Sequence, residues 1–301
     1  MRQSMRTIAQ YAHLLRTVEM DDGMHDLERI LASIGVTMVD SINFFSHNGG
    51  HYQLISECSM SETTIPTIER IRHELKIRDV EVAHIEHLSP GFASITFKGE
   101  ALADLNSLSF DDHVKFMFNG ADGQQVRRDY TPRRFDNGAR EVVLEFALHG
   151  HGGAAEWARN ATVGQSAIIG GPRGSMVLPL AMDWHLLIGD ASALPAVTRR
   201  LEELPQDARA QVVLLVDAAD RREFATRANI DLHWVATDEE LLQVLKDLPL
   251  QTGAGLAWGG GEAALMVKVR QTLLDKGLPR QAAKISAYWK QGVADHHEHL
   301  D

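Results

Sequence analysis

Cysteine is almost absent: Cys58 stands alone in 301 residues. One thiol cannot close an internal disulfide, and such usage fits a reducing compartment. No apolar run approaches the ~20 residues that a bilayer-spanning helix needs. The opening MRQSMRTIAQ has neither the apolar core nor the small-residue cleavage site of a signal peptide. These absences predict a cytoplasmic protein with no membrane span. Lysine and arginine form no block, and the net charge is −11. That balance repels phosphate backbones and argues against a DNA or RNA partner, while leaving room for a local basic pocket that takes a small anion. No CxxC and no HExxH occurs, so the spacings that bring two ligands to one zinc ion are missing. There are 15 histidines, three of them in the tail Asp295-His296-His297-Glu298-His299. The tail can chelate a divalent ion or simply fray into solvent. The second is the expected state of a terminus, and no metal site is predicted.

What is present is a change of rhythm along the chain. The length suggests about two domains, and the 44% hydrophobic content lets each bury a core. Residues 1–74 read as a mostly helical extension, with helical apolar spacing over 7–18 and 27–36 and another short helix expected over 67–75. Residues 75–180 read as short strands. Val80, Val82 and Ile85, then Ala93, Ile95 and Phe97, then Val114, Phe116 and Phe118, and finally Val142, Leu144, Phe146 and Leu148 each alternate. Such spacing predicts an antiparallel β-barrel. Residues 181–301 alternate strand and helix, with strands over 184–188, 211–216, 232–235, 255–258 and 284–288. Helices are expected over 194–204, 221–228, 239–248 and 261–276. That order predicts a doubly wound parallel sheet. A cofactor would sit in the crevice between barrel and sheet.

Six segments carry polar chemistry. Arg128-Asp129-Tyr130-Thr131-Pro132-Arg133 ends a barrel strand, where Arg128 and Tyr130 share a face. The arginine can pair with a diphosphate, and the tyrosine can lie flat against a ring. A surface arginine beside a core tyrosine is the plainer alternative. His149-Gly150-His151-Gly152-Gly153-Ala154-Ala155-Glu156-Trp157-Ala158 is a glycine turn opening a helix: a phosphate seat or a plain loop. Gly170-Gly171-Pro172-Arg173-Gly174-Ser175 joins the domains. Gly189-Asp190-Ala191-Ser192-Ala193 lies at the carboxyl edge of the first parallel strand, where open sheets bind nucleotides, although it lacks G-x-G-x-x-G. Trp258-Gly259-Gly260-Gly261-Glu262 reads as a second glycine turn at that edge. Tyr288-Trp289-Lys290-Gln291-Gly292 places two aromatics at the end of the last strand, as core anchors or as cover for a flavin face.

In this order the segments resemble the siderophore-interacting protein family, a branch of the ferredoxin–NADP reductase-like flavoproteins. The resemblance covers about residues 70–292, through RRDYTPRRFD, residues 149–158, GGPRGS, GDASALPA with RRLEELP, WGGGEA and YWKQG. It implies an FAD-carrying barrel followed by a nicotinamide-binding α/β domain. Electrons would pass from NADPH, NADH or ferredoxin through FAD to a ferric siderophore. It further implies that Arg128, Tyr130 and Thr131 hold FAD. His149 and the stretch Gly152, Gly153, Ala154 and Ala155 approach its pyrophosphate and ring, next to Trp157. Gly189, Asp190, Ser192, Trp258 and Gly259 line the nicotinamide side, and Tyr288 and Trp289 flank the isoalloxazine. No side chain acts as acid, base or nucleophile. Arg133, Arg134 and Lys290 would form a basic rim for an anionic ferric chelate.

Two stretches depart from the family. Its Gly-Pro-Ala-Ser is Gly152-Gly153-Ala154-Ala155 here, and its Gly-Asp-Glu-Thr-Ala is Gly189-Asp190-Ala191-Ser192-Ala193. A lost hydrogen bond of this kind costs on the order of 1 kcal/mol, so looser FAD binding is expected. The alternatives are a siderophore- or flavin-binding protein without turnover, and a flavin reductase with another acceptor.

Overall fold

The structure is a computed structural model; it describes residues 66–120, 123–148, 153–293 and the backbone of 298–300. The helices expected over 7–18 and 27–36, Cys58, His149 and Gly152 lie outside the described residues. Strand β1 (Glu69–Arg72) pairs antiparallel with β9 (Gly174–Val177). A helix was expected there, but strand pairing overrides the local preference of a short segment. Gly174 permits the close approach: a Cβ at that position would stand 2.5 Å from the Ile71 carbonyl oxygen.

Seven strands build the barrel: β2 (Ile77–Ser89), β3 (Phe92–Lys98), β4 (Val114–Asn119), β5 (Gln125–Tyr130), β6 (Arg134–Asp136), β7 (Glu141–Ala147) and β8 (Ser166–Gly170). Their order is β5-β4-β8-β2-β3-β7-β6, every neighbour antiparallel. The alternating apolar residues all turn inward: Val82, Ile95, Phe97, Val114, Phe116, Val142, Leu144 and Phe146 are fully buried. Both edge strands reach the same core, β5 through Tyr130 and β6 through Phe135. The sheet has therefore curled on itself, with a seam between β5 and β6 bridged by residues 131–133. Helix α1 (Gly153–Arg159) drops Trp157 into the barrel, 4.8 Å from Phe116 and 6.1 Å from Phe97 between ring centres. Each such buried aromatic contributes ~1.5–3 kcal/mol through desolvation.

The second layer system contains β10 (Trp184–Asp190), α2 (Leu194–Glu203), β11 (Arg209–Leu215), β12 (Asn229–Val235), α3 (Asp238–Asp247), β13 (Gly255–Glu262), α4 (Ala263–Asp275) and β14 (Ala283–Trp289). The parallel order is β12-β11-β10-β13-β14. The chain direction across the sheet reverses between β10 and β13, which is the topological switch point. Every residue of β10 is buried, as a central strand covered on both faces requires. Thr237 caps α3 by accepting from the Glu240 amide at 3.2 Å, and Glu262 caps α4 by accepting from the Ala264 and Leu265 amides.

Three expectations change in this half. The expected helix over 221–228 is irregular chain after a single turn at Ala218–Asp220. Its neighbouring side chains serve different partners. Asp220 accepts from Ser89 Oγ and the Gly91 amide at 2.7 and 2.8 Å. Arg222 binds Glu145 at 2.7 Å, and Phe224 stacks on Trp234. The glycines at 259–261 form no turn; they are the end of β13. β14 is not the last strand, because β15 (Glu298–Leu300) adds antiparallel to its edge. That part of the tail is held in the sheet rather than frayed.

Barrel and sheet meet chiefly along α2. Arg199 donates to Ser107 Oγ, the Ser107 carbonyl and the Pro132 carbonyl at 2.8–2.9 Å. Arg200 reaches the Pro179 carbonyl at 2.6 Å and lies over the Phe110 ring. The Arg199 donors are taken by carbonyl, hydroxyl and Glu203 oxygens, which offsets its desolvation, whereas Arg200 Nε is buried with no partner among the described residues.

Candidate functional site

Strand β13 and the carboxyl end of β14 meet the barrel at Asp111, in the loop before β4, whose Val114 pairs with Tyr130 at the end of β5. On the barrel side, β5 carries Arg128 and Tyr130 out of the sheet on one face. The Tyr130 ring is backed by Phe146 at 4.4 Å and Phe116 at 5.8 Å, and the residue is half-buried. Its hydroxyl has no hydrogen-bond partner among the described residues. Burial pushes its pKa up, against the nearby charge of Arg128, so the hydroxyl keeps its proton and remains a donor. Arg128 donates to the Arg127 carbonyl at 2.6 Å and faces no carboxylate among the described residues. Thr131 follows, buried at the seam. A cation with no counter-charge among the described residues, beside a phenol whose hydroxyl has no partner among them, fits a ligand carrying both a diphosphate and a flat ring.

On the sheet side, Asp190 ends β10. It accepts from the Ser192 amide at 2.8 Å and Ser192 Oγ at 2.5 Å, and from the Glu262 amide and Trp289 Nε1, each at 2.8 Å. Burial raises its pKa, and these four bonds work against the rise. Asp190 is thus a hub that ties together the ends of three strands; its lone pairs are spent inside the protein. Trp289 is 44% exposed although its indole N–H is fixed. An anchored indole with an open ring is a stacking surface.

The glycine run in β13 exists to let neighbouring side chains lie across the strand. A Cβ at Gly259 would stand 2.9 Å from Ile285 Cδ1, at Gly260 3.0 Å from the Tyr288 ring, and at Gly261 2.8 Å from Asp190 Oδ2. None of the three has a positive φ, so close approach and not turn geometry demands glycine. Gly189 is equally tight, with Ala193 Cβ at 2.5 Å and the Gly260 carbonyl at 2.8 Å from its would-be Cβ. Helix α2 starts there without a side-chain cap, but Pro195 brings no N–H and the Ala193, Leu194 and Val197 amides are taken by the Asp190, Ala191 and Ala193 carbonyls.

Trp258 and Tyr288 both reach back to the barrel. Trp258 Nε1 donates to Asp111 Oδ1 at 2.8 Å, and Tyr288 Oη sits 3.4 Å from the same oxygen. Trp258 is 1% exposed, so it is a core anchor between the domains rather than a lining of the nicotinamide side. Burial pushes the Asp111 pKa up to about 7, with the Trp258 bond opposing. The Tyr288 hydroxyl is pushed well up by burial, then by Asp111, with Asp129 and Asp190 adding to it. The end of β14 thus meets the barrel at Asp111, in the loop before β4.

Arg128, Tyr130 and Thr131 lie at the end of β5 and just past it, and Gly189, Asp190, Ser192, Gly259, Tyr288 and Trp289 lie at or near the carboxyl ends of β10, β13 and β14. Ala154, Ala155 and Trp157 are buried in α1, where Trp157 belongs to the barrel core; Gly153 is exposed at its start. Arg133 is not a rim cation. It is 5% exposed and binds Glu145 at 3.1 Å and both Glu202 oxygens at 2.5 and 2.7 Å. Residue 133 lies inside the seam, where burial without partners would be prohibitive. Arg134 is exposed and touches Glu202 at 3.1 Å, and Lys290 is exposed with no ion pair among the described residues. Burial works to raise the Glu202 pKa, but Arg133 and Arg134 outweigh it and hold the carboxyl below its usual range.

Asp111, Arg199 and Glu202 escaped the reading of the sequence. Asp111 and Trp258 are 147 positions apart, and no local pattern marks such a pair. Arg199 and Glu202 lie in the RRLEELP stretch, and their partners Ser107, Pro132 and Arg133 are 67 to 92 positions away in the barrel half.

The geometry agrees with what similarity shows. Residues 182–292 match the siderophore-interacting protein family, and residues 81–127 and 119–176 match the siderophore-interacting FAD-binding domain. The NADPH-dependent ferric-chelate reductase of Escherichia coli is 31% identical over 244 residues, covering 73% of this chain and 96% of that protein. A ferric vibriobactin reductase of Vibrio cholerae is 27% identical, over 69% of this chain and 87% of its own length. The crystal structure of a siderophore utilization protein from T. fusca superposes with a TM-score of 0.72 at 32% identity, covering 76% of this chain and 98% of that one. With the barrel and the parallel sheet each matched, the chain belongs to the siderophore-interacting protein family.

Proposed function

We propose that the protein is an FAD-dependent reductase that takes electrons from NADPH and delivers them to an Fe(III)–siderophore, releasing Fe(II). The observation that carries this is the Arg128–Tyr130 pair at the end of an FAD-binding barrel strand, a cation that faces no carboxylate and a phenol whose hydroxyl has no partner among the described residues. Bound FAD supplies the redox chemistry, accepting two electrons as hydride and passing them on singly. The chain's own residues bind and orient. Arg128 would neutralise the pyrophosphate, Tyr130 would offer its ring to the isoalloxazine, and Thr131 would donate its hydroxyl to the same ligand. Gly189 and Ser192 would form the nucleotide side. Trp289, with its ring open and its N–H held by Asp190, and Tyr288 beside it would cover the ring system.

The ferric complex is substrate. Fe(II) binds hard oxygen donors far less well than Fe(III), so reduction itself releases the metal, and no acid, base or nucleophile is needed. Arg134 and Lys290 supply positive charge for an anionic catecholate complex; Arg133 does not, because Glu145 and Glu202 already neutralise it. NADPH is the first choice of donor because the relative in E. coli carries that dependence in its name. A cytoplasmic setting, where reduced nicotinamide is abundant, suits the reaction.

The test is Fe(II) capture by ferrozine during turnover of the FAD-reconstituted protein with a ferric catecholate, comparing NADPH, NADH and reduced ferredoxin. NADPH-driven Fe(II) release is expected. A protein that retains FAD and yields no Fe(II) with any donor is instead a binding module of the same fold.

A further inference from the structure

Helix α2 does more than pack. Its first turn leaves the switch point directly after Ser192, and its last turns grip the barrel segment that follows Tyr130. Arg199 Nη1 donates to the Pro132 carbonyl and to Ser107 Oγ, and its Nη2 to the Ser107 carbonyl. Its Nε donates to Glu203 at 2.8 Å within the helix. Three residues further along, on the same face of the helix, Glu202 takes both ends of the Arg133 guanidinium. Pro132 and Arg133 are therefore clamped at consecutive positions by one helix of the other domain. The barrel's own ladder ends at Tyr130 and resumes where the Arg133 amide bonds the Val143 carbonyl at 2.9 Å. Between those points the Pro132 carbonyl is fixed by Arg199.

We infer that Arg199 is a positioning residue, which from α2 fixes the Tyr130–Arg133 segment in the geometry that grips FAD. The inference rests on the reading of Arg128, Tyr130 and Thr131 as the flavin-holding residues. A planar guanidinium with forked donors spans Ser107 and Pro132 at once, whereas a lysine ammonium is a point charge that reaches one of them. The charge is dispensable and the fork is not. A loosened supporting contact displaces the group it supports, and small displacements at a binding constellation are costly.

The experiment uses the full chain and three readouts: the FAD dissociation constant from flavin fluorescence, the visible circular dichroism of bound flavin, and Tm. Arg199→Lys is compared with Asp220→Ala, which removes the acceptor of a separate tie between the domains, at Ser89 and Gly91. Arg199→Lys is expected to weaken FAD binding roughly tenfold, the effect of losing hydrogen bonds from one charged group, and to change the flavin dichroism. Asp220→Ala is expected to lower Tm while leaving both flavin readouts as in the wild type. A folded Arg199→Lys variant with wild-type FAD affinity and dichroism overturns the inference. If that variant does not fold, Glu202→Gln carries the test, with weaker FAD binding expected and unchanged binding overturning it. A wild-type protein that does not bind FAD at all overturns the functional reading and this inference together; a wild type that binds beside an unchanged Arg199→Lys variant overturns the positioning role alone.

Discussion

The indole N–H of Trp258 donates to the Asp111 carboxylate at 2.8 Å, joining the fourth parallel strand of the sheet to the loop that feeds β4 of the barrel. Burial keeps that carboxyl protonated up to about pH 7. Its pKa in the folded chain lies above its unfolded value, so the native state holds a proton that the unfolded state has released. Stability therefore falls as pH rises from about 4 to about 7. Asp111→Asn keeps an acceptor for Trp258 and removes the titration. Relative to wild type, the variant is expected to gain on the order of 2 kcal/mol between pH 4 and pH 8, allowing for partial solvent access. Urea unfolding at both pH values measures it, and a pH-independent difference contradicts it.

His185 imposes the opposite slope. It is 2% exposed on β10, and burial, reinforced by the Arg200 charge, pushes its pKa down to about 3 against a backbone bond to Leu180. The unfolded state takes up a proton that the native state refuses, so stability falls as pH drops from about 6.5 towards 3. Replacement by Gln removes this loss. His185→Gln is expected to have a shallower acid limb than wild type in a Tm-versus-pH series, whatever its absolute Tm. Equal acid limbs would show that His185 does not titrate in this range.

Arg133 and Arg134 are adjacent and alike in sequence, yet predicted to behave differently. Arg133→Ala leaves buried Glu145 short of a counter-charge, at 6% side-chain exposure, and is expected to cost about 3–5 kcal/mol. Arg134→Ala is expected to change stability by less than about 0.5 kcal/mol. Its effect falls on substrate: a higher KM for an anionic ferric catecholate at unchanged kcat, and no change for an uncharged ferric chelate. Denaturation and steady-state kinetics on the two variants separate the roles.

A side chain at Gly260 would meet the Tyr288 ring at 3.0–3.1 Å. Gly260→Ala is expected to destabilise by about 1–3 kcal/mol through overpacking. Truncating Tyr288 to Ala should relieve the clash, so the double variant is expected to be less destabilised than the sum of the singles. Additive losses would mean that the ring yields without cost.

The barrel strands and most of the β/α alternation were legible because a period of two and a run of buried aliphatics report directly on which face is covered. The placement of Arg128 and Tyr130 on one face of one strand was legible from their spacing. Arg133 was not, since nothing local distinguishes it from Arg134; its burial comes from Glu202, 69 positions away. The glycines after Trp258 were read as a turn because glycine serves equally for turns and for close packing, and the rings that press on them belong to β14. The chain over 221–228 has a helix-compatible composition, but Asp220, Arg222 and Phe224 answer to three different elements. Long-range pairing, invisible to periodicity, decided each of these cases.

The most direct test is an anaerobic titration of the FAD-reconstituted protein, followed at the long-wavelength absorbance of the flavin. NADPH is expected to bleach the band, and a ferric catecholate added afterwards is expected to restore it as Fe(II) appears at ferrozine. A protein that is colourless after desalting from FAD, or a band that no reduced nicotinamide bleaches and no ferric chelate restores, would contradict the central claim.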